Sequence, residues 1–315
     1  MSSTTLPNLD SSLTACRTLA TSHYENFHVL SGLLPKSFRD DFAILYSFCR
    51  AADDAADERE NTTIAITELN ALRDILQYIK SESDTTIPDS TAEFPFTPFI
   101  PAWIDLITRQ HLPLAPFHHL LDAFVQDQHQ TRYETWEEVL NYCTGSADPV
   151  GRLILLITNP DPANSSHEHI ENLFTYSDAT CTALQLTNFW QDISRDLLER
   201  NRIYIPQTAM RQFDLTEDDL AHLIHLKKAD ARFIALEKYL VDYTQPMFDR
   251  GHQLFPHLSP SIRPVIKLFS EGGESILRKI RKQNYDVLAK RPTLSKPRKA
   301  QLYFKTKLAA MLHST

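Results

Sequence analysis

The stretch SFCRAADDAADE, Ser47 to Glu58, crowds four acids, Asp53, Asp54, Asp57 and Glu58, directly behind the apolar run Phe42 to Leu45 and Tyr46. Carboxylates packed this closely repel one another. Either the helix end is solvated, or positive charge offsets the repulsion. Residues three and four apart share a helix face, so Tyr46, Arg50, Asp53 and Asp57 form one polar stripe on an otherwise apolar helix.

A second stripe follows in LQLTNFWQDISRDLLERNRIYIP, Leu184 to Pro206, where Gln185, Asn188, Asp192 and Asp196 recur at helical spacing. It sits amid Leu184, Leu186, Phe189, Trp190 and Ile193. Either stripe alone reads as a solvated face, because charged residues are mostly exposed. Two matched stripes read instead as ligand sets. Hard oxygen donors without cysteine or histidine favour Mg²⁺, with Mn²⁺ as the alternative, over zinc or copper. Magnesium shares phosphate oxygens, so metal ions bridging carboxylates to a diphosphate provide a phosphate site. Arg50, Arg195, Arg202 and Tyr204 read as direct partners of the same anion. No glycine-rich phosphate loop competes with this, for the chain has six glycines and neither GxGxxG nor GxxxxGK[ST].

The surrounding chain is helical in pattern. Apolar residues return at three or four over Phe38 to Glu58, Thr63 to Lys80, Pro116 to Gln130, Trp136 to Ile157, His169 to Leu198, Leu226 to Phe255 and Ile262 to Leu288. No stretch alternates long enough for a sheet. Four prolines between Ser81 and Pro101 forbid a continuous helix there. Thr158 to Ser166, Asn201 to Gln207 and Arg291 to Pro297 read as loops. With 315 residues, 42% of them hydrophobic, and no shift of composition, one all-α domain is the simplest reading.

The four cysteines lie far apart, as reduced cytoplasmic thiols do. The polar start MSSTTLPNLDSS lacks the features of a signal peptide, and no apolar run approaches the ~20 residues of a membrane span. Net charge is −8, yet Arg278 to Lys307 holds eleven Lys/Arg against Asp286 alone, a net +10 that leaves −18 elsewhere. A basic tail on an acidic body suits either plain solvated helix faces or peripheral attraction to an anionic membrane. Nucleic acid is disfavoured, since the body repels it and no reading motif is present.

The two acidic stretches resemble the aspartate-rich motifs of the squalene/phytoene synthase family, over about Ser22 to Tyr285. SHYENFHVLSGLLPKSFRDDFAILYSFCRAADDAADE, YCTGSADPVGRL (Tyr142 to Leu153) and LQLTNFWQDISRD resemble its branch of bacterial hydroxysqualene synthases of hopanoid biosynthesis. The resemblance implies an isoprenoid synthase helical fold with a central apolar cavity, and a catalytic domain at 21–290. A polar segment at 1–20 precedes it and a basic segment at 291–315 is packed on it or extends it. The implied reaction is Mg²⁺-dependent ionisation of presqualene diphosphate and capture of the carbocation by water, with no NADPH. Asp53 and Asp57 resemble the first metal pair, and Asn188, Asp192 and Asp196 the second set. Arg50, Arg202, Tyr204 and Tyr285 resemble diphosphate contacts. His23 matches the histidine that opens the family's N-terminal motif, either at the substrate or as a core histidine.

Departures from the pattern bear on the reaction. Glu25 stands where many relatives carry a basic residue. Cys143-Thr144-Gly145 replaces an aromatic-rich stretch tied in the family to condensation of two farnesyl units. That loss favours an enzyme acting on the cyclopropyl intermediate. Ser146 and Asp148 are candidates for placing water, although Asp148-Pro149 also suits a bend. Phe27, Phe48, Phe189 and Trp190 are candidates for facing a carbocation, or plain core. Two readings stay open beside this one, a presqualene diphosphate, squalene or phytoene synthase and an inactive assembly protein; a third to weigh is a di-metal carboxylate bundle. The bundle is set aside because Glu25-Asn26-Phe27-His28 is its only convincing Glu-x-x-His motif.

Overall fold

The computed structural model describes residues 6–23, 33–59, 61–81, 94–159, 167–295, 297–298 and 301, with the side chains of His23, Ser81 and His167 outside that description. The described residues are helical, with one isolated bridge between Arg132 and Ile203 and no strand. The all-α expectation is met. The chain divides into two compact units, Met1–His129 with Arg152–Asn164, and Gln130–Gly151 with Ser165–Thr315. Both are helical, so nothing in the sequence marks the division.

The first unit is built from α1 (Leu9–His23), α2 (Arg39–Asp57), α3 (Thr62–Ser81), α4 (Ile100–Arg109) and α5 (Ala115–Gln126). Its core forms around α2, whose Phe42, Ile44, Leu45 and Phe48 are buried. Phe48 meets Trp103 and Phe117 edge-on, at centroid distances of 5.2 and 5.0 Å. Ser47, buried beside them, accepts a hydrogen bond from Trp103 Nε1 at 2.9 Å, so the indole N–H does not go unpaired. Asp41 is equally buried and is satisfied by Arg109 (2.7 Å) and Gln110 (3.0 Å).

Two helices of this unit lie outside the periodic stretches. Residues 9–23 form α1 with Cys16 and Ala20 fully buried. In α4, Pro101 stands in the first turn, where its missing N–H costs nothing. The neighbouring Ala102 N–H is accepted by Ser12 Oγ of α1 at 3.1 Å.

The second unit contains α6 (Trp136–Ser146), the first turn of α7 (Asp148–Thr158), α8 (His167–Arg200), α9 (Gln207–Gln212), α10 (Glu217–Leu226), α11 (Ala231–Gly251) and α12 (Arg263–Lys282). The apolar run Trp136 to Ile157 is therefore two helices, because Pro149 lacks the N–H that a continuous helix requires. Likewise Leu226 ends α10: Lys227 takes a left-handed φ of 51°, and Asp230 caps α11 by accepting the Phe233 N–H at 2.9 Å.

The 34-residue α8 is the spine of this unit. Trp190 Nε1 donates to Thr244 Oγ1 of α11 at 2.8 Å with both side chains fully buried. Gly273 lets α12 approach, since a Cβ there would lie 2.5 Å from Leu184 Cδ2 and 2.7 Å from Phe248 Cζ. No helix among the described residues is long and apolar enough to cross a membrane.

Candidate functional site

The first acidic stripe ends α2, within the first unit. Arg50 supplies the positive charge the crowded acids need. Its guanidinium lies 3.1 Å from Asp53, 2.5 Å from Asp54 and 2.7 Å from Glu58. Burial works against its charge, but Asp54, Asp53 and Glu58 together hold its pKa above the ordinary arginine value. Arg50 thus orders the acid cluster. Asp57 and Tyr46 lie on the same helix, both half-buried. Asp54 and Glu58, which the face argument left out, are drawn in because the long guanidinium reaches across neighbouring faces.

The second stripe lies on α8, in the second unit. Gln185 is half-buried, Asn188 exposed, Asp192 half-buried and Asp196 buried. Burial, reinforced by the charge of Asp192, pushes the Asp196 carboxyl up to about 7, although Arg200, Arg202 and Arg195 pull the other way.

Backbone geometry then brings Arg202 and Tyr204 to Asp196. Asn201 follows the last residue of α8 with a left-handed φ of 51°, and Arg202 N–H donates back to the Asp196 carbonyl at 3.0 Å. Ile203 N–H donates to Thr131 at 2.9 Å, and Arg132 holds Asn201 Oδ1 (3.0 Å) and Glu217 (2.8 Å), which ties the reversed segment down. Asp196, Arg202 and Tyr204 line one small cleft with Phe189, Ile193, Ile203 and Ile205.

Other expected partners stand elsewhere. Arg195 is exposed and ion-paired with Glu199 at 2.8 Å. Tyr285 lies half-buried beyond α12 with φ 61°. The side chain of His23, and all of Glu25, Phe27 and His28, fall outside the described residues. Phe48 and Trp190 are fully buried core, whereas Phe189 lines the cleft. Asp148 is buried and accepts a hydrogen bond from Thr182 at 2.9 Å, and Ser146 Oγ is buried without a hydrogen-bond partner.

The residue that the motif reading missed is Arg291. Its guanidinium grips both carboxylate oxygens of Asp192, Nε donating to Oδ1 and Nη2 to Oδ2, the latter at 2.8 Å. Its only signal in the sequence was membership of a basic stretch. Asp249, His252 and Glu274 also bring ligand atoms within 4.8 Å of one another, but Arg278 lies 3.8 Å from Glu274 and Gln245 bonds to both acids.

Comparison with known proteins gives the family and the fold. The family model described as squalene/phytoene synthase matches residues 20–298. The chain is 34% identical over 205 residues to a hydroxysqualene synthase of Zymomonas mobilis, covering 62% of this chain but only 59% of that protein. It is 27% identical over 299 residues to a 15-cis-phytoene synthase of Synechococcus elongatus, covering 91% and 89%. Among solved structures, squalene synthase HpnC from Alicyclobacillus acidocaldarius superposes with a TM-score of 0.74 at 36% identity, over 87% of this chain and 94% of that one. A dehydrosqualene synthase, 22% identical with a TM-score of 0.78, shares the fold. This chain belongs to the squalene/phytoene synthase family.

Proposed function

We propose that the protein ionises presqualene diphosphate and captures the carbocation with water, giving hydroxysqualene and free diphosphate. The observation that carries this reading is the acid pair of α8: buried Asp196, pushed up to about 7, beside half-buried Asp192, with Arg202 and Tyr204 folded back onto the cleft that Asp196 lines. Such a set suits a hard divalent cation that carries an anion. Asn188, Asp192 and Asp196, and separately Asp53 and Asp57, are the oxygen donors that would hold Mg²⁺, or Mn²⁺ in its place. When bound, the metal supplies the Lewis acid that stabilises the departing diphosphate.

The chain's own residues do the rest. Arg202 and Tyr204 bind the anion. Arg50 keeps Asp53 oriented. Phe189, Ile193, Ile203 and Ile205 form apolar walls that limit access of bulk water. Identity of 34% with a hydroxysqualene synthase supports water as the terminal nucleophile. The replacement of the aromatic stretch by Cys143-Thr144-Gly145 favours an enzyme acting on the cyclopropyl intermediate.

One specific observation favours a second reading: the match to a 15-cis-phytoene synthase runs along 91% of the chain. On that reading the enzyme condenses two prenyl diphosphates. Incubation with presqualene diphosphate and, separately, with farnesyl diphosphate, each with Mg²⁺ and no reductant, separates the two by lipid analysis. Hydroxysqualene from the first substrate alone supports the primary reading; a C30 product from farnesyl diphosphate supports the second. With hydrocarbon substrate and product, the protein works in the cytoplasm against the surface of the inner membrane, held there by its basic C-terminal stretch.

A further inference from the structure

The segment after α12 is tied down within the second unit. Asp286 accepts the Ala289 N–H at 3.0 Å, and Gln283 Nε2 donates to the Lys290 carbonyl at 2.7 Å. Gln191 of α8, itself buried, donates to the Pro292 carbonyl at 2.6 Å. Val287, Leu288 and Pro292 are buried. These anchors deliver Arg291 to α8, where its fork engages both carboxylate oxygens of Asp192, a residue 99 positions away. The Asp192 side chain is 16% exposed and that of Arg291 46%, so the carboxylate side of the pair is shielded and the guanidinium side stays accessible.

A guanidinium bound across both oxygens takes the positions a divalent cation would use, and it cannot give up its charge. A cation arriving alone must displace Arg291 from a segment that is otherwise anchored. A diphosphate offers that guanidinium replacement oxygens in the bidentate geometry it prefers. The geometry points to Arg291 as a resting counter-ion of Asp192 that makes cation binding by the α8 acids conditional on diphosphate. This rests on the reading above that Asp192 is a metal ligand. Metal binding is thereby ordered: the cation is held well only with its anion.

Mn²⁺ titration of the metal-free protein, read by the paramagnetic resonance of free Mn²⁺, tests this without turnover. Arg291→Gln is expected to bind Mn²⁺ alone about tenfold more tightly than the native protein, about 1.4 kcal/mol. Arg291→Lys, which keeps the charge but not the fork, should fall between them and covers the case in which the glutamine variant folds poorly. Inorganic pyrophosphate, corrected for Mn²⁺ complexed in solution, should strengthen binding less in Arg291→Gln than in the native protein. Asp192→Asn should lose the Mn²⁺ site. If Asp192→Asn loses it while neither Arg291 variant gains affinity, the counter-ion role is overturned and the metal set stands. If Asp192→Asn binds as the native protein does, both are overturned.

Discussion

The rings of Phe189 and Tyr204 stack face to face, with centroids 3.8 Å apart and planes inclined by 6°. Tyr133 and Tyr142 flank Tyr204 at 5.6 and 5.5 Å. Together with the left-handed Asn201, this stack holds residues 201–206 against α8 and keeps Arg202 near Asp196. The tyrosine ring is therefore structural.

Ring and hydroxyl are separable by mutation. Tyr204→Phe should keep the melting midpoint near that of the native protein while lowering kcat/KM about tenfold through loss of an anion contact. Tyr204→Ala should instead cost about 3–5 kcal/mol of stability, the usual penalty for a large buried ring. Steady-state kinetics and thermal melts decide it; full activity in Tyr204→Phe would remove the hydroxyl from the anion site.

Asp192→Ala should reduce turnover by at least about a hundredfold with the fold intact. Folding tolerates the change because Arg291, left without its partner, is already 46% exposed. Asp53→Ala should act more mildly, as a raised Mg²⁺ requirement, since Asp54 and Glu58 still surround Arg50. Near-normal activity of Asp192→Ala at saturating Mg²⁺ would show that α8 holds no essential cation.

Glu237 on α11 is fully buried, and neither carboxylate oxygen has a hydrogen-bond partner. Burial raises its pKa well above the ordinary value. The folded state keeps a proton that the unfolded chain releases above about pH 4.3. Stability from this group is thus fully present below that pH and is lost as pH rises toward the folded value. Glu237→Leu should raise the melting midpoint at pH 8 by about 2–4 °C and gain less at pH 5. Parallel curves for native and mutant protein between those pH values would show that Glu237 does not set this dependence.

Membrane attraction should be electrostatic and reversible. Basic residues near an anionic surface contribute on the order of 1 kcal/mol each, so a few of those between Arg278 and Lys307 suffice. Co-sedimentation with phosphatidylserine vesicles should exceed that with neutral vesicles and weaken with salt as screening shortens the reach. Equal binding to both, or binding indifferent to salt, argues against a basic contact surface.

Helical periodicity was legible because burial of one face is local information: Phe42, Leu45 and Phe48 announce α2 by spacing alone. The same spacing showed Asn188, Asp192 and Asp196 as one face of α8. It failed where a single residue overrides the pattern, as at Pro149, which splits α6 from α7, and at Lys227, whose positive φ ends α10. The periodic stretches left out α1, α4, α9 and nearly all of α10, although Cys16, Trp103, Met210 and Leu220 are core. α1 carries a polar sequence, and α4 starts at the edge of a proline-rich stretch.

What the sequence determined by itself is the set of groups that share one helix, because three- and four-residue spacing follows from helix geometry. It therefore decided that oxygen donors line α2 and α8. What the tertiary structure alone decided is which charges meet across the chain. Arg202 folds back to Asp196 through Asn201, and Arg291 reaches Asp192 from 99 residues away. Those pairings depend on burial and on backbone reversal, which position a long side chain in ways that spacing along the chain does not encode.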